Sequence, residues 1–220
     1  PMALVDRRAE QRMEKITGRT RREEIAVRIA DAVTSVLPYM HDQIEWNPTF
    51  AHRVEQIKLS RQRLTEEEVE SRRRDFKRLL GEYRRMLQEI EENPRIRERP
   101  KWYEKISAVY WSLARAARVM REFELQKSEP MVPVEVHAVR VGEMAIATFP
   151  LAPYLDFGIQ IKARSKAVQT FTVQTAAGHY RYLPTERAVA GGAYGAVPES
   201  IVFGPQGGRE LVEGTLGLIE

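Results

Sequence analysis

Val69, Phe76, Tyr83 and Ile90 recur at heptad spacing, with Leu80 and Leu87 offset by four. A stripe of this kind is stable only when a second apolar face covers it. Thr65 followed three residues later by Glu68 is a capping box that starts the helix. Asn93-Pro94 stops it. From Pro100 a second seam runs through Trp102, Ile106, Val109, Leu113, Ala117, Met120 and Phe123. Two seams joined by a proline-bounded turn predict an antiparallel helical hairpin over residues 65–126. Upstream, Ile25, Ile29, Val33 and Val36 form another stripe, which predicts a helix over 21–36 ended by Pro38. An irregular stretch, His41–Pro48, contains Trp46.

The character of the chain changes at Met131. Only Gly18 and Gly81 precede it, and eleven glycines follow. Through Met131 there are 28 Lys+Arg against 23 Asp+Glu, a balance of +5; after it, 7 against 8, a balance of −1. Residues 132–141 alternate and are β-branched, predicting a strand; Gly142-Glu143 turns the chain, and 144–149 predicts a second strand of a hairpin. Leu155, Gly158, Ile159 and Lys162 show helical spacing within 151–163. Residues 168–175 predict a third strand, 176–205 a loop, and 207–219 a last helix. The expected fold class is α+β (or α/β): a helical region over 1–130, then a strand–helix–strand–loop–helix layer over 131–220.

Several function classes drop out. The chain has no cysteine, so disulfides, thiolate metal sites and cysteine nucleophiles are excluded. No apolar run approaches the roughly 20 residues of a membrane span. The N-terminus, Pro1 to Arg8, lacks an apolar signal region; a chain opening on Pro before Met reads as an engineered start or a cleavage product, which leaves room for a targeting segment upstream. Arg72-Arg73-Arg74 and Arg84-Arg85 suggest nucleic acid at first sight. Glu66, Glu67, Glu68, Glu70, Glu89, Glu91 and Glu92 are interleaved with them. Mixed charge of that kind describes a solvated helix face, so no nucleic-acid partner is expected.

The chemistry-bearing residues gather in the 176–205 loop. His179, Tyr180, Arg181, Tyr182, Thr185, Glu186, Arg187 and Tyr194 sit among glycines, a composition suited to a binding site on a loop. His179 reads as an acid/base group or as a loop histidine bonded to a carbonyl. Arg181 and Arg187 read as anion-binding forks or as partners of Glu186 and Glu199. Tyr182 reads as a metal ligand or as a half-buried phenol with a bonded hydroxyl. His137, inside an alternating strand, reads as structural.

The strings VEVHAVRVGEMAIATFP, LDFGIQIKARS, TFTVQT and HYRYLPTERAVAGGAYGA, read together, resemble the C-terminal part of the neutral/alkaline (non-lysosomal) ceramidase-like hydrolases. The likeness is greater to bacterial relatives of that group. It covers roughly 131–220, and the helical half fits as an insertion before that block. The resemblance implies a zinc amidase that hydrolyses an N-acyl bond. Two histidines from an upstream half, a glutamate and a tyrosine would hold the metal, and a serine would sit in the site. Tyr182 matches the second tyrosine of an Asn-x-Tyr-x-x-Tyr motif, His179 stands where the first would be, and Tyr194 matches a later tyrosine. The glutamate position falls on Ala152, which has no donor atom. His41, His52, Ser165 and Ser200 match no position of the family's site.

The resemblance therefore implies a C-terminal portion or subunit of a hydrolase, incomplete alone, acting on an amide or related bond. His179 is the expected catalytic group. Arg181, Arg187 and Tyr194 are expected at the substrate, and Tyr182 at a zinc whose other ligands come mostly from an upstream chain. That upstream polypeptide is the expected partner, with a homo-oligomer as the other association. An extracytoplasmic location is implied by the resemblance alone. The alternative is a metal-free, non-catalytic binding or scaffold subunit of the same ancestry.

Overall fold

The computed structural model describes residues 7–41 and 44–220. It forms two compact units divided between Pro48 and Thr49. The expectations about the N-terminal Pro1–Asp6 and about residues 42 and 43 of the irregular stretch lie outside the described residues.

The first unit is a helix pair, α1 (Arg7–Thr17) and α2 (Arg21–Met40). Gly18, at φ 68°, supplies the left-handed turn between them. Thr20 caps α2: its hydroxyl accepts from the Glu23 amide, and the Glu23 carboxylate accepts from the Thr20 amide at 2.7 Å. Pro38 does not end α2 where the sequence predicts; the helix continues to Met40. Pro38 sits in the final turn, where its missing N–H and ring clash disturb only the last carbonyls. The predicted stripe is present but uncovered: Ile25, Ile29, Val33 and Val36 are all exposed, and no α2 residue is buried.

The second unit is α+β. Its sheet runs β1 (Phe50–Ser60), β2 (Met131–Val141), β3 (Met144–Phe149), β5 (Gln169–Gln174). The first two pairings are antiparallel and β3–β5 is parallel, connected through α5 (Leu155–Arg164). β1 lies in the stretch expected to be helical, and its pairing with β2 ties that stretch to the layer after residue 131. Its alternation is blurred because Arg53 and Glu55 share a face with buried Ile57 and Leu59, while Phe50, His52 and Val54 take the other. Arg53 is satisfied there by donating to the Leu218 carbonyl at 3.5 Å.

One face of the sheet is the core. Ile57, Leu59, Val134, Val136, Ala147 and Phe149 pack against Phe157 and Ile161 of α5 and Leu211, Val212 and Leu216 of α7 (Pro205–Ile219). Glycines let α7 approach closely. A Cβ on Gly208 would meet the Phe157 ring at 2.1 Å, and one on Gly214 would meet Ile57 at 2.5 Å. The opposite face carries exposed Phe50, Val54, Met144, Phe171 and Val173.

Between β1 and β2 stands the expected hairpin, α3 (Glu66–Glu92) and α4 (Tyr103–Ser128), joined by a 3₁₀ turn at Pro94–Glu98. The Thr65–Glu68 capping box forms as read. Leu64, Val69, Val119 and Phe123 make a separate small core at its base. On α4 the fully covered line runs through Val109, Ala116, Val119 and Phe123, so the seam drifts from Ala117 and Met120. Arg61 and Glu122 form a buried ion pair at 2.6 Å beside this core. Gln126 both donates to and accepts from the Leu64 backbone, at 3.0 and 2.8 Å. In the basic run, Arg72 pairs with Asp75 and Glu199 and Arg73 with Glu70, the mixed-charge pattern seen in sequence.

The stretch read as one long loop holds a two-residue strand β6 (Tyr182–Leu183), a short helix α6 (Glu186–Ala190) and a 3₁₀ turn at Pro198–Ser200. β6 pairs in parallel with β4 (Ala152–Pro153). Among the described residues, no helix is long and apolar enough to cross a membrane.

Candidate functional site

The site is built where β4 meets β6. Phe149-Pro150 ends β3, and the chain passes at once beside the returning loop. The Tyr180 amide donates to the Pro150 carbonyl at 2.6 Å, the Ala152 amide to Arg181 at 2.7 Å, and the Tyr154 amide to Leu183 at 2.9 Å. Gly178 adopts φ 150° with its Cβ position only 2.8 Å from Pro150 Cβ, so a side chain there would displace the loop. Arg181 takes φ 72°, an uncommon left-handed conformation for a residue with a Cβ. The result is that Ala152 is the register partner of Tyr182.

Three tyrosines converge there. The Tyr182 and Tyr194 rings meet edge to face, 5.8 Å between centroids. The Tyr154 hydroxyl donates to the Tyr194 carbonyl. Gly195, at φ 81°, packs against the Tyr182 ring, where a Cβ would lie 2.9 Å from ring carbons. Partial burial pushes the Tyr182 phenol above its ordinary range, and Tyr194 adds to the shift by its charge and by hydrogen bonding. Burial and then the neighbouring Tyr182 do the same to Tyr154. These phenols are therefore neutral hydrogen-bond donors at ordinary pH. Tyr154 already donates its proton to the Tyr194 carbonyl, so Tyr182 is the phenol that can donate to a carbonyl or to an oxygen on which negative charge develops.

The other expected site residues are more scattered. His179 is exposed, and no hydrogen bond, ion pair or ring contact joins it to the tyrosines. Arg181 donates to the Glu199 carbonyl at 3.3 Å rather than to its carboxylate. Arg187 is exposed and pairs with Asp156 at 3.5 Å, while Glu186 pairs with Arg209. The guanidinium of Arg118 donates to the same Glu199 carbonyl at 3.0 Å, and burial, with Arg181 nearby, lowers its pKa. Two cations thus share one carbonyl at the foot of the loop.

Tyr154 was not legible as a site residue. Its one sequence signal is its place two residues past Ala152, where it forms the N-cap position of α5. A second cluster lies on the open face of the sheet. His137 stacks on His52 at 5.2 Å, their Nδ1 and Nε2 atoms 3.0 Å apart, and its other nitrogen meets Glu135 at 3.1 Å. His137 is thus held as a strand residue, with His52 as a partner that the sequence did not indicate.

The donor set was compared with what a zinc centre requires. No three His, Asp or Glu side chains converge to hold a metal among the described residues. Ala152 offers no donor atom, and Tyr182 is the matched position that carries one. By itself this chain supplies no complete zinc site among the described residues. In comparisons with known proteins, no family model, no curated protein and no solved structure matches the chain.

Proposed function

We propose that this chain is the C-terminal portion, or one subunit, of a ceramidase-like hydrolase acting on an amide or related bond, with the 178–195 loop lining the site. The observation that carries the reading is the pairing of Ala152 with Tyr182. These are the two positions to which the resemblance assigns a shared role, and they are distant in sequence. The uncovered sheet face adds support. A layer that exposes Phe50, Val54, Met144, Phe171 and Val173 on one side is suited to a second layer, as an upstream polypeptide would supply.

In this reading the chain's own residues bind and polarise. Tyr182 donates its hydroxyl proton to the carbonyl oxygen of the scissile group, and Tyr154 fixes the Tyr194 backbone and so the ring edge against which Tyr182 packs. Arg181 anchors the loop to Glu199. His179 is open to solvent and takes its role as proton carrier only once substrate and partner close over it. Any metal would be held chiefly by the partner, and no step is assigned to it.

A second reading rests on Ala152 itself: without a donor at that position, the chain is a metal-free binding or scaffold subunit of the same ancestry. Native mass spectrometry of the protein from its natural host separates the two. A second, larger polypeptide with one metal per complex supports the hydrolase. A metal-free chain, alone or as a homo-oligomer, supports the scaffold.

A further inference from the structure

We propose that the outer edge of β1 is the pairing surface for β1 of a second copy of this chain, antiparallel about a twofold axis at Val54. β1 closes one side of the sheet, and β2 is its sole strand partner among the described residues. The bonds that flank the β1–β2 ladder fix its parity. The Arg61 amide donates to the Pro130 carbonyl at 3.0 Å, and the Gly142 amide to the Thr49 carbonyl at 2.8 Å. Odd-numbered residues of β1 therefore bond to β2, and the even-numbered ones turn their N–H and C=O groups outward. At Ser60 the outward groups are already taken: its amide donates to the Glu210 carboxylate at 2.6 Å, and its carbonyl accepts from the Gly204 amide at 3.2 Å. From Phe50 to Lys58 no outward backbone hydrogen bond is made among the described residues. Every residue from Phe50 to Gln56 is exposed. Such an open row of donors and acceptors is a template for another strand.

The side chains choose the partner and the register. Charge on an edge strand ordinarily blocks pairing. Here Arg53 and Glu55 are opposite in sign and two apart on one face. Arg53 donates to the Leu218 carbonyl at 3.5 Å, and neither residue forms an ion pair among the described residues. Outward groups must meet outward groups, and a twofold axis sets one residue of β1 opposite its own copy. A centre at Arg53 brings arginine against arginine, and one at Glu55 brings glutamate against glutamate. A centre at Val54 places Arg53 of each copy opposite Glu55 of the other, in a non-hydrogen-bonded pair with about 4.5 Å between Cα atoms. Centres beyond these shorten the ladder. With Val54 at the axis, His52 meets Gln56 and Phe50 meets the Lys58 stem. The free edge is then used in full and stops short of the occupied Ser60.

A second copy carries the complementary order of charges by symmetry, which commits the edge to it. β5, the other edge of the sheet, is uncharged from Gln169 to Gln174, and nothing on it selects a partner. Edge pairing extends the sheet in its own plane and covers neither face, so an upstream polypeptide can occupy the open face whether or not two copies pair. One ladder is a smaller contact than a standard interface, so a reversible dimer with micromolar dissociation is expected.

The test is sedimentation of the full chain from nanomolar to high micromolar concentration. The wild type should pass from monomer to dimer. Arg53→Glu should weaken the dimer about tenfold or more, since two attractive cross-strand pairs become repulsive. Arg53→Glu with Glu55→Arg restores the opposite order of charge and should return the dimer to about wild-type strength. The chain has no cysteine, so a single introduced thiol reports the register. Val54→Cys faces its own copy with about 5.5 Å between Cα atoms and should crosslink on mild oxidation. Gln56→Cys, on the same face, lies about 13 Å along the strand from its copy at roughly 3.3 Å per residue, and should not crosslink. Circular dichroism identifies any variant that fails to fold, and the thiol pair reads independently of the charge variants. A monomer at every concentration overturns the proposal. So does a dimer that Arg53→Glu leaves unchanged or that the double reversal does not restore, because the contact then lies elsewhere. Equal crosslinking of the two thiols also overturns it, since the strands then have no fixed register.

Discussion

Ala152 and Tyr182 sit side by side as parallel strand partners, with the Ala152 amide donating at 2.7 Å to the carbonyl just before Tyr182. Thirty residues of chain separate them, including α5 and β5, and the closure depends on backbone bonds rather than on side chains. The phenol of Tyr182 then faces the ring of Tyr194 and is raised in pKa by burial.

That shift predicts an alkaline effect on stability. A tyrosine whose folded pKa is raised stays protonated in the native state after the unfolded chain has ionised. Its contribution is complete below about pH 10, the unfolded value, and is lost as pH rises through the folded value. Urea denaturation at pH 8 and above pH 10 should show a loss for the wild type that is smaller in Tyr182→Phe. Equal losses would contradict the assignment.

The packing of α7 predicts opposite outcomes for two glycines. Gly208→Ala drives a methyl into the Phe157 ring and should destabilise by about 1–3 kcal/mol or more. Gly217→Ala meets nothing within 4 Å and should stabilise by about 0.5–1 kcal/mol through helix propensity. Thermal denaturation of the two variants in parallel checks both.

Arg61 and Glu122 are tied at 2.6 Å with side chains only 8% and 11% exposed. Arg61 also pairs with the exposed Glu129 carboxylate at 3.2 Å and donates to the Glu129 carbonyl at 2.7 Å, so it keeps a partner when Glu122 is removed. Glu122→Ala should cost about 2 kcal/mol, the scale of one charge-assisted hydrogen bond, and Arg61→Met with Glu122→Leu should recover only part of it, because the Glu129 contacts are lost as well. A double-mutant cycle by chemical denaturation reads the difference.

The Thr215 hydroxyl is fully buried and has no hydrogen-bond partner among the described residues. Thr215→Val removes that unmet group while keeping the shape, and should stabilise the chain by about 1 kcal/mol. A destabilised variant would show that the hydroxyl is satisfied in solution.

The hairpin was legible because three independent signals agreed: the Thr65–Glu68 box, the seam and the proline stop. The β2–β3 hairpin was legible because one face of β2 is buried and its alternation is clean. β1 was not, because Arg53 and Glu55 fall on the same face as Ile57 and Leu59 but at the exposed end of the strand, where Arg53 reaches the Leu218 carbonyl. In the candidate site, the loop is proposed on its composition, and Tyr182 and Ala152 on resemblance. Tyr154 was missed because β4 and β6 are two residues each, too short to leave a periodic signal. The scatter of His179 and Arg187 has a similar origin. Their types suggested chemistry, but backbone sets their places: Gly178 and the left-handed Arg181 turn the chain between His179 and Tyr182, and α6 carries Arg187 to Asp156.

The most direct test of the hydrolase reading is the rate at which the protein from its natural host, with whatever polypeptide accompanies it, cleaves N-acyl amides. The Tyr182→Phe variant should assemble normally and lose about a hundredfold in kcat, the scale of one lost donor to a developing oxyanion. An assembled variant with an unchanged rate, or a wild-type assembly with no hydrolysis, would contradict the account.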